Sequence, residues 1–173
     1  MINLPKMIVF DLDGTLLKDN RSVTESSKEY LKKLKDMGYI IVIATGRIYE
    51  SVKDVMNGFD SFNYIITDAG ASCYDVSNNG IIFNNPIELE TAKKFKEFYN
   101  ENCAFIDICS KHKMYQYPNI ASDNYFVDST QDWDYIFNNC KEISHISIKM
   151  KNNDQVMKNY NELKILFPEL DIN

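Results

Sequence analysis

The sequence predicts an α/β protein that opens as a Rossmann-like parallel sheet and continues into a second α/β segment. Three observations predict it. Short apolar runs recur at Ile8-Val9-Phe10, Ile40-Ile41-Val42-Ile43-Ala44 and Tyr64-Ile65-Ile66-Thr67, each the length of a strand covered on both faces. The stretches between them carry apolar residues at helical spacing. Glycines punctuate the ends, and strand, helix, strand, helix, strand in that order implies parallel pairing.

The first strand ends in acid, because Asp11 and Asp13 follow the apolar run and Gly14 breaks it. After it, Ser22 with Glu25 reads as a capping box, and Val23, Tyr30, Leu31, Leu34 and Met37 mark one helical face that stops at Gly38. The second strand runs straight into Thr45-Gly46-Arg47, and a helix from Ile48 to Asn57 follows, closed by Gly58. The third strand leads through Asp68-Ala69-Gly70 into a hairpin whose turn is Ser77-Asn78-Asn79-Gly80 and whose returning strand holds Ile81, Ile82 and Phe83.

A boundary falls near Asn84 to Pro86, giving segments 1–84 and 85–173. Beyond it, Ile87, Ala92, Phe95, Phe98 and Tyr99 suggest a helix, and Ala104 to Cys109 and Met114 to Tyr117 suggest paired strands. Ile143 to Met150 reads as another strand, and Val156, Tyr160, Leu163 and Leu166 as a last helix before Pro168. Asp132-Trp133-Asp134 follows no apolar strand, so it reads as a solvated turn or helix start. The aromatics Tyr115, Tyr117, Tyr125, Phe126 and Trp133 are expected mostly in the core.

The chemistry lies at the strand ends. In open α/β sheets ligands gather at the carboxyl ends of the strands, where Asp11 and Asp13 stand. Two carboxylates one residue apart repel unless a cation lies between them, and Mg²⁺ suits a site of few carboxylates completed by water and phosphate oxygens. One acid can then attack phosphorus while the other protonates the leaving alcohol. An ordinary strand-ending turn would use the same Asp and Gly residues for backbone reasons alone. An EF-hand is excluded, since Gly14 follows Asp13 directly. A Thr45 hydroxyl and the amides of the Gly46 turn, opening a helix, form an anion site.

Together, Asp11-Leu12-Asp13-Gly14-Thr15-Leu16-Leu17 and Ile43-Ala44-Thr45-Gly46-Arg47 resemble the first two motifs of the haloacid dehalogenase (HAD) superfamily of phosphatases. Tyr64 to Ala71 resembles the Cof-type branch, in which a large α/β cap is inserted after this point; Ala69 stands where such members usually carry Asn. The resemblance implies Asp11 as nucleophile and metal ligand, and Asp13 as general acid/base and second metal ligand, through its backbone carbonyl. It also implies phosphate binding at Thr45 and Gly46, with Mg²⁺ as cofactor. On this reading 1–84 is the N-terminal part of a HAD-like core and 85–173 a Cof-type cap. The superfamily's third-motif Lys and its Gly-Asp motif are not found, since the last glycine is Gly80. Lys149, Lys151 and Lys158 are poor stand-ins, and the chain is expected to be the first half of the core plus most of the cap.

The implied function is Mg-dependent hydrolysis of a small phosphate ester, a sugar phosphate or similar metabolite, through an aspartyl-phosphate; a mutase differs only in where the phosphoryl group goes next. The alternative is a truncated or split fragment that binds phosphate or a partner chain without turnover, with a complementing chain or homodimer formed at an open sheet edge. A receiver-type phospho-acceptor fits the paired acids less well. A net charge of −6 and a pI near 4.9 argue against nucleic acid or an anionic membrane as partner. With 173 residues, 45% of them hydrophobic, the chain is large enough for a packed core. Cys73, Cys103, Cys109 and Cys140 lack CxxC spacing and His112 and His145 lack a ligand pattern. No signal segment or bilayer-length apolar run is present, so a cytoplasmic location with reduced thiols is expected.

Overall fold

A computed structural model describes residues 6–18, 22–56, 59–119, 126–130 and 132–172. The chain forms two compact units, Met1–Pro86 and Ile87–Asn173. Among the described residues no helix is long and apolar enough to cross a membrane.

The first unit is a five-stranded sheet in the order β1-β2-β3-β4-β5. Strands β1 (Met7–Asp11), β2 (Ile40–Ala44) and β3 (Tyr64–Thr67) run parallel, and β4 (Ser72–Asp75) and β5 (Gly80–Asn84) return antiparallel. Helices α1 (Glu25–Asp36) and α2 (Tyr49–Val55) bring Leu31 and Val52 into a core with Ile41, Ile43 and Ile65. Register places Ile8 and Phe10 of β1 beside Ile41 and Ile43, on the same face. Each fully buried isoleucine there contributes about 1.5–3 kcal/mol.

Helix α1 starts two residues later than the Ser22 capping box predicts. Thr24 is the cap, its hydroxyl accepting from the Ser27 amide at 3.2 Å, because Val23 is held instead in a bridge with Leu17 and buried in the core. Only part of the predicted face turns inward: Leu31 is buried, whereas Tyr30 and Met37 are each 65% exposed. The C-terminus follows the glycine signal, for Gly38 has φ +81 and the amides of Gly38 and Tyr39 reach back to Lys35 O and Leu34 O at 2.9 and 3.1 Å. Helix α2 begins after Ile48, its N-cap; Asn57 and Gly58 lie outside the described residues.

β1 departs from the covered strand that its apolar run suggests. It pairs with β2 on one side and is an outer strand among the described residues, with Met7 and Val9 56% and 54% exposed. These two alternate with the inward Ile8 and Phe10, so one face of β1 meets the core and the other meets solvent.

The second unit carries a four-stranded sheet ordered β8-β7-β6-β9. Its strands are β6 (Cys103–Ser110), β7 (Met114–Tyr117), β8 (Val127–Ser129) and β9 (Ile143–Met150). Helices α3 (Leu89–Phe98) and α4 (Trp133–Asn139) supply Ala92, Trp133 and Ile136 to a core with Ile106, Ile108 and Tyr115. The helix start at Asp132 is observed, its carboxylate capping the Asp134 amide at 2.8 Å. Helix α5 (Val156–Leu166) ends the unit, and Phe167 just after it stacks on Phe95 at 4.3 Å. The short strand β8 was not legible as a run. Trp133, Tyr115 and Tyr117 are ring partners or core members as expected, and Tyr125 lies outside the described residues. All four cysteines are free and buried.

Candidate active site

Parallel register sets the site. Asp11 pairs with Ala44, and Ala44 with Ile66, so the residues that follow, Leu12 to Leu17, Thr45 to Arg47 and Thr67 to Gly70, emerge together at the carboxyl ends of three adjacent strands. After Asp11 the chain turns immediately. Fully buried Leu12 anchors the turn, its carbonyl accepting from the Leu16 and Leu17 amides at 3.1 and 2.8 Å, and Gly14 supplies the left-handed φ of +76.

The Asp11 carboxylate is solvent-facing and accepts a long 3.4 Å bond from the Thr15 hydroxyl. Asp13 is held differently. Arg47 grips it with a fork, Nε to Oδ2 at 2.8 Å and Nη2 to Oδ1 at 2.6 Å, while Nη1 donates to Ser51 Oγ at 3.1 Å. This bidentate geometry is the strongest a carboxylate finds in a protein. Hydrogen bonding to Asp13 raises the guanidinium pKa, against the opposing effect of burial. At Asp13 the neutralising charge is therefore an arginine.

Thr45 is buried; its hydroxyl accepts from the Arg47 amide at 3.2 Å and its own amide donates to Ile66 O at 3.0 Å. Gly46 is exposed between them. The helix does not open at Gly46 as the motif suggests but at Tyr49, so Thr45 and Gly46 sit in a loop ahead of the helix N-terminus.

A second turn clasps that loop. The amides of Asp68 and Ala69 donate to Arg47 O and Thr45 O at 2.9 and 3.3 Å. Asp68, Ala69 and Gly70 have φ of 55, 54 and 101, three successive left-handed residues, a costly conformation away from glycine. Asp68 is 1% exposed and accepts from the Thr67 hydroxyl at 2.7 Å.

Sequence reading thus located Asp11, Asp13, Thr45 and Gly46 on neighbouring strand ends but gave no role to Arg47 or Asp68. An arginine directly after a strand-ending Thr-Gly, with an acid pair on the adjoining strand, was the available signal.

Residues 8–171 match the family model of haloacid dehalogenase-like hydrolases. The chain belongs to this family. The Cof-type resemblance agrees with it. Among curated relatives, a 5-amino-6-(5-phospho-D-ribitylamino)uracil phosphatase of Bacillus subtilis is 47% identical over 47 residues, 27% of this chain and 17% of that protein. A phosphomannomutase of Babesia bovis is 29% identical over 110 residues, 61% of this chain and 45% of that one. A haloacid dehalogenase-like hydrolase from Bacteroides thetaiotaomicron shares the fold at TM-score 0.74 with 18% identity, covering 95% of this chain and 65% of its own. The chain spans about half the length of the curated relatives it matches, 47% and 45% for two Buchnera aphidicola proteins.

Proposed function

We propose that the chain carries the nucleophile half of a phosphatase site acting on a small phosphate ester, a sugar phosphate or similar metabolite. The observation that supports it most is the exposed Asp11 carboxylate on a strand whose parallel partner leads directly into Thr45. Asp11 attacks phosphorus, the ester P–O bond breaks, and Asp13 gives its proton to the departing alkoxide. Water then attacks the phospho-Asp11, Asp13 takes the proton, and inorganic phosphate leaves. Thr45 and Gly46 hold the phosphoryl oxygens. The 1–84 segment serves as core and 85–173 as the cap that selects the alcohol.

The donor set suits a hard cation in part. Asp11 offers a carboxylate oxygen with one long hydrogen bond and Asp13 a backbone carbonyl, while its side chain is committed to Arg47. Mg²⁺ takes few protein ligands and completes its shell with water and substrate oxygens, and among the described residues no three His, Cys, Asp or Glu side chains gather into a metal site. Bound there, Mg²⁺ would supply positive charge to the phosphoryl oxygens. Among the described residues β1 is the outer strand of its sheet, and this edge supports a further strand as partner, from a complementing chain or a second copy.

The test is turnover of an aryl phosphate by the purified chain with Mg²⁺, beside Asp11→Asn and a chelated sample. Loss of turnover in both is expected, and turnover surviving in Asp11→Asn refutes the reading. Phosphate binding with no turnover by the unaltered chain would favour the non-catalytic alternative.

A further inference from the structure

We propose that Arg47 is a phosphate-operated latch: it holds Asp13 while the site is empty and transfers part of its fork to a phosphoryl oxygen when phosphate arrives at Thr45 and Gly46. The inference rests on the phosphate-site reading above and adds a positioning residue that works through Asp13. Its observations are geometric. Both carboxylate oxygens of Asp13 are engaged by one guanidinium, at 2.6 and 2.8 Å. One guanidinium thus engages both oxygens of Asp13, and a phosphoryl oxygen that draws on this fork must draw it from Asp13. The same arginine is built into the anion loop. Its amide donates to Thr45 Oγ1 and its carbonyl accepts from Asp68, which fixes its backbone beside the phosphate-binding residues. Ser51 holds Nη1 at 3.1 Å, so the guanidinium keeps one tether while its other nitrogens exchange partners. A phosphoryl dianion carries more charge than Asp13 and presents the same bidentate geometry to arginine.

The test is a double-mutant cycle on binding of inorganic phosphate, followed by calorimetry, using the unaltered chain, Arg47→Gln, Asp13→Asn and the double variant. Charged hydrogen bonds of this kind correspond to a loss of roughly 10- to 100-fold in phosphate affinity on removing Arg47. Because Asp13 competes for the fork, Asp13→Asn is expected to tighten binding. Removing Arg47 should then cost roughly two- to fivefold more in the Asp13→Asn background than in the unaltered chain. An additive cycle, or an Arg47→Gln chain that binds phosphate as well as the unaltered one, overturns the latch alone. Absence of phosphate binding in all four chains overturns the phosphate site itself and the latch with it. A readout that needs no folded variant of Asp13 is the ¹⁵N resonance of the Arg47 side-chain Nε–H, assigned by its loss in Arg47→Lys. It should move as phosphate saturates the unaltered chain, and a resonance that stays in place under saturation refutes the exchange.

Discussion

Ala69 offers a sharp test of how the site's backbone is maintained. It sits at φ 54, ψ 30 between two other left-handed residues, exposed to solvent, with its amide bonded to Thr45 O. A Cβ in that conformation crowds the following carbonyl at a cost of about 1–2 kcal/mol, which Asn offsets in part by local hydrogen bonding. Since the methyl group packs against nothing that burial would reward, Ala69→Asn should stabilise the first unit by about 0.5–1 kcal/mol. For a unit of this size that is a rise of roughly 2–8 °C in Tm. The first unit spans Met1–Pro86 and contains the stacked Tyr49 and Tyr74, whereas Trp133 belongs to the second unit. Urea unfolding followed by the amide resonances of Ile41 and Ile43 in the first core and by Trp133 fluorescence therefore separates the two, and only the first-unit transition should shift. Ala71, at φ −71, is the control: Ala71→Asn should give no gain. A first-unit transition that stays put or falls in Ala69→Asn, or gains equally in Ala71→Asn, refutes the reasoning. The gain should also reach the loop that Ala69 clasps, seen as slower exchange of the Thr45 and Arg47 amides.

Two further outcomes follow from the second unit. Asp107 is 7% exposed, and burial pushes its carboxyl above the usual range despite bonds from Gln116 at 2.9 Å and Ser147 at 3.4 Å and the nearby His145. The folded chain keeps this proton to higher pH than the unfolded one. Stability contributed by the group is thus present in acid and falls as pH rises from the unfolded carboxylate value of about 3.9. Asp107→Asn, which keeps an oxygen for Gln116, should raise the urea midpoint at neutral pH by an increment that vanishes below pH ~4; an increment independent of pH would contradict this. Burial likewise pushes the Cys140 thiol up to about 12, so at pH 8 it should resist maleimide in the folded chain and react within minutes in urea, as read by mass spectrometry. Fast labelling of Cys140 without denaturant would contradict its placement.

The primary structure alone determined the strands other than β8, their alternation with helices, the hairpin, and the family motifs, because each is carried by local signals: strand-length apolar runs, helical spacing, Gly38 ending α1, and acids at the end of β1. It placed Asp11 and Thr45 on neighbouring strand ends, since parallel alternation leaves little freedom in where those ends meet. It misplaced the α1 cap by two residues, because Val23 is drawn into the core and only packing reveals that. It could not show that one face of β1 meets solvent, with Met7 and Val9 exposed, as an apolar run looks the same whether one face or both are covered. The partner of Asp13 was also beyond it: Arg47 lies 34 residues away, and long-range pairing of charges depends on how β1 and β2 come side by side. The same holds for the left-handed run at Asp68 to Gly70, where tertiary hydrogen bonds to Thr45 and Arg47 stabilise a backbone that local preference opposes.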